Sequence, residues 1–367
     1  DVARGRRGVA AVNVSRFLWD EATKWRRPGL DTLIHYVTSA CNAACDHCYF
    51  LDRLNAKTDL STAETFGQIG RLGRLRALLV AGGEPFICRH LDEVLIAYHR
   101  ACGVGVAQIP TMAFHGDRMR KTIDRALGEC PGLHLTVNVS LDGFEAFHDA
   151  NRKIPGLWRR AVGNLRMLLE MRPRHPRLRV CVVSVMMPGT LGQLRPFAEF
   201  VRQVIGPDLH ILEVLRAKDF GPYDRREVER VRDFWIGLTR DYYRAPAHGS
   251  RHLYRGVLAP FVARFAVGNL RIAFANFLDG RAWPAPCQAG RRIAVLYPDG
   301  DVAACELRGR IGNVLKAGGV PEVVASPTFQ AEVRAIDGGK SCFCTHGCFI
   351  PPAIRYSPRA MLRAVAS

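Results

Sequence analysis

Residues 41–48 read Cys41-Asn42-Ala43-Ala44-Cys45-Asp46-His47-Cys48, a C-x3-C-x2-C spacing in a loop directly after the short β-branched run from Thr32 to Thr38. Three such closely and unevenly spaced thiols argue for metal ligation over a disulfide framework. Three thiolates can bind three irons of a cubane and leave the fourth iron open to a ligand. The same three cysteines, alone or with His47, would also suit zinc. The sequence around the loop bears on the choice.

Short β-branched runs alternate with helical segments outward from this loop. Strands are expected at Thr32 to Thr38, Ala77 to Ala81, Gly105 to Met112, His134 to Ser140, Arg179 to Met187 and Leu209 to Leu215. Helical periodicity marks Ala63 to Arg74, His90 to Ala101, Arg118 to Leu127, Leu157 to Met171 and Leu191 to Val204. Six strands in βα alternation predict a parallel sheet with right-handed crossovers, whose chemistry sits at the carboxyl ends of the strands. The second strand ends in Gly82-Gly83-Glu84-Pro85, where the glycines let the backbone approach a ligand and Glu84 or backbone carbonyls can accept from an ammonium group. The fourth ends in Ser140-Leu141-Asp142-Gly143, followed by His148, Asp149 and Arg152. Capping of a helix starting near Phe144 is the competing role for that segment.

A second group of cysteines lies near the C-terminus. Cys287 and Cys305 flank the strand-turn-strand signal from Ile293 to Val302, with the turn Pro298-Asp299-Gly300, so the spacing is C-x12-G-x4-C. The glycine turn would bring both thiols to one end of a hairpin. Downstream stands Cys342-Phe343-Cys344-Thr345-His346-Gly347-Cys348. Four cysteines in two pairs also make a zinc ribbon. Cys88, Cys102, Cys130 and Cys181 fall on expected helices and strands or their ends and read as core thiols.

The first cysteine spacing together with Gly82-Gly83-Glu84-Pro85 resembles the radical S-adenosylmethionine (SAM) superfamily, although His47 stands where its members usually carry an aromatic residue before the third cysteine. The pattern from Ser140 to Arg152 is similar to that of members with C-terminal auxiliary clusters. C-x12-G-x4-C and Gly312-Asn313 resemble the opening half of the SPASM signature. The 342–348 segment looks like a condensed form of the rest, with no cysteine after Cys348. The resemblance implies an α/β fold, a partial (β/α)6 TIM-like barrel with a small C-terminal SPASM/twitch-like iron–sulfur domain. It implies SAM and a SAM-binding 4Fe–4S cluster on Cys41, Cys45 and Cys48. It further implies one auxiliary 4Fe–4S cluster on Cys287, Cys305 and Cys348, with Cys342 and Cys344 competing for the last place. Five thiols ligate one cubane with one to spare, but not two. His346 would ligate or hydrogen-bond to a cluster sulfur. Gly82, Gly83, Glu84 and Pro85 would contact SAM, Tyr49 its adenine, and Ser140 and Asp142 its ribose, with His148 and Arg152 in a structural network.

The implied reaction is reductive cleavage of SAM to a 5'-deoxyadenosyl radical that abstracts hydrogen from a substrate carbon. Glu213, Arg216 and Asp219, around the end of the sixth strand, are the substrate-side candidates, where an acid could take a proton from a substrate radical. A barrel-closing salt bridge is the competing role. Because only about thirty residues precede the first strand, oxidation or rearrangement of a small or lipid-linked metabolite is favoured slightly over modification of a peptide, as in RiPP or protein maturation. An electron donor such as flavodoxin or ferredoxin is expected. A zinc-containing, non-catalytic binding protein is the alternative of another class.

Domains are expected at 1–30 (basic arm), 31–225 (radical SAM core), 226–282 (helical linker), 283–350 (auxiliary cluster domain) and 351–367 (tail). The 367 residues carry 52 Lys and Arg against 34 Asp and Glu, a net charge of +18, and only seven of the basic residues are Lys. That surface suits solvent or an anionic partner such as a phosphorylated substrate or acidic peptide. No aromatic-interleaved basic stretch suggests sequence-specific nucleic-acid binding. No run of about eighteen uncharged apolar residues predicts a transmembrane segment. Twelve cysteines without a signal peptide fit a reducing, cytoplasmic setting.

Overall fold

The computed structural model describes residues 29–215, 221–244, 259–280, 285–336 and 344–366. The expected arm is therefore outside the described residues, except for its last two positions, and so are Arg216, Asp219 and Cys342. Six strands run parallel and lie side by side in chain order: β1 (Thr32–Tyr36), β2 (Ala77–Ala81), β3 (Val106–Thr111), β4 (His134–Ser140), β5 (Leu178–Met186) and β6 (Leu209–Val214). All five residues of β1 are buried, as a strand covered on both faces requires. In β4, Leu135, Val137 and Val139 are buried while the intervening residues are half-buried, the period-2 signature of a strand with two unlike faces.

The helices obey local rules. In α1 (Thr62–Arg71), Ser61 and Glu64 form a reciprocal capping box, which satisfies two donors at the helix start. The next, α2 (Leu91–Cys102), stops at Gly103 in the left-handed conformation. Then come α3 (Gly116–Glu129), α4 (Glu145–Arg152) and α5 (Leu157–Met171). The last crossover, expected as one helix from Leu191 to Val204, is divided into a 3-10 turn at Pro188–Gln193, α6 (Leu194–Phe200) and a π turn at Val201–Ile205.

Beyond β6 the chain forms two long helices, α7 (Arg225–Arg244) and α8 (Ala259–Asp279). By length and composition α8 alone among the described helices could cross a membrane. It instead packs against α7 and the C-terminal helix Pro358–Ala366, with Gly268 set against Ala364. The chain then returns to the first sheet. β7 (Ile293–Leu296) pairs in parallel with β1, and β8 (Asp301–Ala303) and β9 (Gly312–Asn313) follow as antiparallel neighbours. Among the described residues the sheet thus has nine strands in the order β6-β5-β4-β3-β2-β1-β7-β8-β9. The C-terminal cysteine segment is built onto the edge of the barrel sheet itself. Asn313 explains the Gly-Asn dipeptide: its side-chain amide donates to the Asp299 carbonyl and to Asp301 Oδ1, both at 2.9 Å, tying β9 to the hairpin turn.

The β5–β6 edge depends on a buried ion pair. Arg172 Nη1 lies 2.9 Å from Asp208 Oδ1, while Asp208 Oδ2 accepts from the Val180 amide at 2.7 Å. Removing one partner strands a charge in the core. We expect Asp208→Ala to lower stability by about 3–5 kcal/mol, measured by anaerobic denaturant unfolding of the metal-loaded protein, whereas an unchanged midpoint would show the pair to be dispensable.

Candidate active site

Parallel pairing puts the ends of β1 to β6 on one rim, where the Cys41–Cys48 loop, the Gly82–Pro85 turn, Ser140, Asp142 and Glu213 stand at strand ends, whereas Arg216, Asp219 and Cys342 lie outside the described residues. The Cys41–Cys48 loop leaves β1 and is held from two sides. Asn55, at φ 59°, accepts from the Cys41 amide at 3.0 Å and donates to the Cys41 carbonyl at 3.1 Å. Asp59 accepts from the Thr38 hydroxyl and the Ser39 amide. Neither brace was named from the sequence; the only local hint is Asn55, a residue type that tolerates a left-handed backbone.

The Gly82-Gly83-Glu84-Pro85 turn meets the same loop. The Gly83 amide donates to the Thr38 carbonyl and the Glu84 amide to the Ala40 carbonyl, each at 2.9 Å. Gly82 takes φ 131°, and a Cβ there would overlap the Thr38 carbonyl oxygen. A Cβ on Gly83 would overlap the Ala40 carbonyl and stand 2.9 Å from Cys41 Cβ. The glycines are thus required by contact between two protein segments, where the sequence suggested room for a ligand. Glu84 departs from expectation too. It is 1% exposed, and its carboxylate accepts from the Phe86 amide, the Thr111 hydroxyl and the Met112 amide at 3.2, 2.7 and 2.9 Å. It braces the end of β3 from within. Burial raises its pKa above the usual carboxylate value in spite of these donors.

Ser140 stands half-buried at the end of β4, whereas Asp142 is wholly enclosed. Asp142 Oδ2 receives Arg152 Nε and Nη2 at 2.9 Å and Asn151 Nδ2 at 3.0 Å. Its amide donates to His148 Nδ1 at 3.2 Å. Helix capping does not account for the segment, because α4 begins without a side-chain cap. Burial opposes the charge on Asp142, but Arg152, His47 and His148 hold the carboxyl below its usual range. His148 is pushed down to about 4 by burial and by Arg152. The network reaches the cysteine loop: the Asp46 amide donates to the Asn151 carbonyl at 3.2 Å, and Asn151 Nδ2 lies 3.2 Å from His47 Nδ1.

A carboxylate missed by sequence reasoning joins the two cysteine regions. Glu306, adjacent to Cys305, accepts from the Tyr36 hydroxyl at 2.6 Å and the Tyr49 hydroxyl at 3.1 Å, and His346 Nε2 lies 2.7 Å from its other oxygen. Tyr36 ends β1 and Tyr49 follows Cys48, so one buried side chain touches both loops. The Tyr49 ring remains 51% exposed. Burial works against a charge on His346, yet Cys348 and Glu306 carry it well above the ordinary histidine value. Glu306, His346 and Cys348 place potential ligand atoms within 4.8 Å of one another.

The Cys344–Cys348 segment also grips the far edge of the barrel. Thr345 Oγ1 donates to the Val214 carbonyl at 2.7 Å and the Gly347 amide to Glu213 at 3.3 Å. A Cβ on Gly347 would overlap the Glu213 carboxylate. Glu213 therefore holds the cysteine segment, and no salt bridge closes the barrel through it among the described residues. Cys88, Cys102, Cys130 and Cys181 are half-buried or buried and free of disulfides. Clefts of about 640 and 520 Å³ lie elsewhere, lined by none of the candidate residues.

The donor set fits iron. Cys41, Cys45 and Cys48 form no disulfide, and Cys41 and Cys45 pack, with Phe114 and Ile154, against a small buried cluster of Ala43, Met112 and Leu157. Burial pushes Cys41 up to about 11 and raises Cys45 and Cys48, so a metal has to supply the charge that turns these thiols into thiolates.

The sequence model of the Radical SAM superfamily matches residues 35–201, so the segment that carries β1 to β5 and the first cysteine loop is a radical SAM domain. The chain is an enzyme that uses SAM and a 4Fe–4S cluster, with auxiliary iron–sulfur chemistry of the SPASM type. Within that class it is 27% identical over 337 residues to mycofactocin maturase MftC of Mycolicibacterium smegmatis, covering 87% of this chain and 77% of that protein. Streptococcus suis SuiB bound to precursor peptide SuiA shares the fold at TM-score 0.56 and 14% identity, over 87% of this chain and 71% of that one. So does anSMEcpe with bound AdoMet and Cp18Cys peptide, at TM-score 0.55 and 15% identity, over 84% of this chain and 83% of that one.

The geometry makes one substitution diagnostic. Gly83→Val would drive a branched side chain into the Ala40 carbonyl and Cys41, so we expect it to cost the first cluster about four irons by displacing the loop itself. Iron analysis decides: full iron with weakened SAM binding would return the glycine to a ligand-contact role.

Proposed function

We propose that the chain is a peptide-maturing radical SAM enzyme. The observation that carries this reading is its relationship, across 87% of its length, to a protein named as a maturase. Two structural neighbours hold peptides, which supports the same reading. The preference for a metabolite rested on the short segment before β1, and where a chain begins carries no information about its substrate. The net charge of +18 suits an acidic peptide.

In this reading Cys41, Cys45 and Cys48 would hold the SAM-binding cluster, which would supply the one electron that breaks the 5' C–S bond of SAM to give methionine and the 5'-deoxyadenosyl radical. Gly82 and Gly83 keep that loop against β2, and Ser140 and Tyr49 face the SAM side. Asp142 Oδ1 has no hydrogen-bond partner but is sealed in the interior, so Asp142 serves the ribose side through the position it gives the end of β4, and Ser140 is the ribose contact. Cys287, Cys305, Cys348 and one of Cys342 and Cys344 hold a single auxiliary cluster. Glu306 and His346 would hold the Cys344–Cys348 segment to the first cysteine region, and Glu213 ties the same segment to β6. A flavodoxin or ferredoxin supplies the electron.

Co-expression with candidate acidic peptides, chosen from any short reading frames found near its gene, tests the reading. A mass change in one peptide with the parent chain, absent when Cys41, Cys45 and Cys48 are all alanine, is the expected result; that variant should also lose about four irons and all SAM cleavage. No peptide modified, together with peptide-independent turnover of a metabolite, would overturn it.

A further inference from the structure

The network behind the first cysteine loop does more than brace it. Arg152 Nη1 lies 3.8 Å from Cys45 Sγ, within reach of an N–H···S hydrogen bond, while its Nε and Nη2 are both held by Asp142 Oδ2 at 2.9 Å. Arg152 is 7% exposed and Asp142 is fully buried. Asn151, His47, His148 and Glu84 are the other polar groups facing the pair. Burial of the Arg152–Asp142 pair limits solvent screening of its charges. A guanidinium does not lose its proton in a protein, so the charge beside Cys45 is permanent.

We propose that Arg152 is a positioning residue that sets the reduction potential of the SAM-binding cluster through the Cys45 sulfur, with Asp142 as its counterweight. Adding an electron makes the cluster more negative. A cation and an N–H donor at a ligand sulfur stabilise that form and raise the potential, and a carboxylate behind the cation lowers it. The proposal rests on Cys41, Cys45 and Cys48 being the ligands.

The test is a potentiometric titration of the reconstituted full chain followed by electron paramagnetic resonance, using the signal that SAM perturbs to mark the first cluster. Arg152→Gln should make its reduction about tenfold less favourable, which is 59 mV for a one-electron couple. Asp142→Asn should shift it the other way, and Arg152→Lys should recover most of the loss, while the auxiliary signal stays in place. A brace alone would change iron content or nothing, and would not give shifts of opposite sign. An unchanged potential in iron-replete Arg152→Gln, or a downward shift in Asp142→Asn, overturns the proposal. If Arg152→Gln does not load iron, the Lys and Asn variants decide by the same criteria, and failure of all three to load makes the pair a scaffold and overturns it as well. Persistence of the SAM-perturbed signal in the Cys41, Cys45 and Cys48 alanine variant would instead show that the ligand assignment had failed.

Discussion

The site depends on β1 being paired on both edges. β2 on one side brings Gly82 and Gly83 under the cysteine loop, and β7 on the other starts the hairpin that leads to Cys305 and Glu306. A register slip of one residue on either side would exchange the side chains that face the barrel interior with those that face the helices. It would also move the Thr38 and Ala40 carbonyls from the amides they now meet. The position of both cysteine regions thus follows from backbone hydrogen bonds before any side chain is considered.

On that frame, polar side chains connect what the backbone leaves apart. Glu306 is shared by Tyr36, Tyr49 and His346, and such a carboxylate tolerates burial because two hydroxyls donate to one oxygen and a basic imidazole faces the other. Glu213 and Thr345 do the same work at the opposite edge. The short segment from Cys344 to Cys348 consequently spans from β6 to the end of β8, across the open side of a six-stranded barrel that does not close on itself. Each cysteine region also has one positively charged or basic side chain backed by a carboxylate: Arg152 with Asp142 at Cys45, and His346 with Glu306 at Cys348.

Much of the barrel was legible locally. β2, β4 and the helix Leu157–Met171 begin and end where apolar periodicity places them, because each is bounded by turn residues and buries one regular face. The cysteine spacings are equally local, since ligands of one cluster need to be near one another. The rest was not legible for a physical reason. That β7 lies beside β1 is a pairing between residues far apart in the chain, and parallel pairing leaves no mark on either strand. Glu84 reads as a ligand contact because the donors that occupy it come from the end of β3. Glu213 reads as a substrate-side acid because its partner, the Gly347 amide, carries no side-chain signal. Glu306 gave no sign at all, being one carboxylate beside a cysteine.

The parallel union of β1 with β7 has a consequence for the birth of the molecule. During synthesis β1 leaves the ribosome early, and its second edge stays bare until Ile293–Leu296 emerge. At about 5–20 residues per second the delay is on the order of ten to fifty seconds. An apolar strand with an open edge for that time is a template for unwanted pairing with other nascent chains. The yield of folded protein in a cell should therefore depend on how well β1 is shielded while the remainder is translated, and a chain truncated before β7 would be prone to aggregate even though its six-stranded barrel segment is complete.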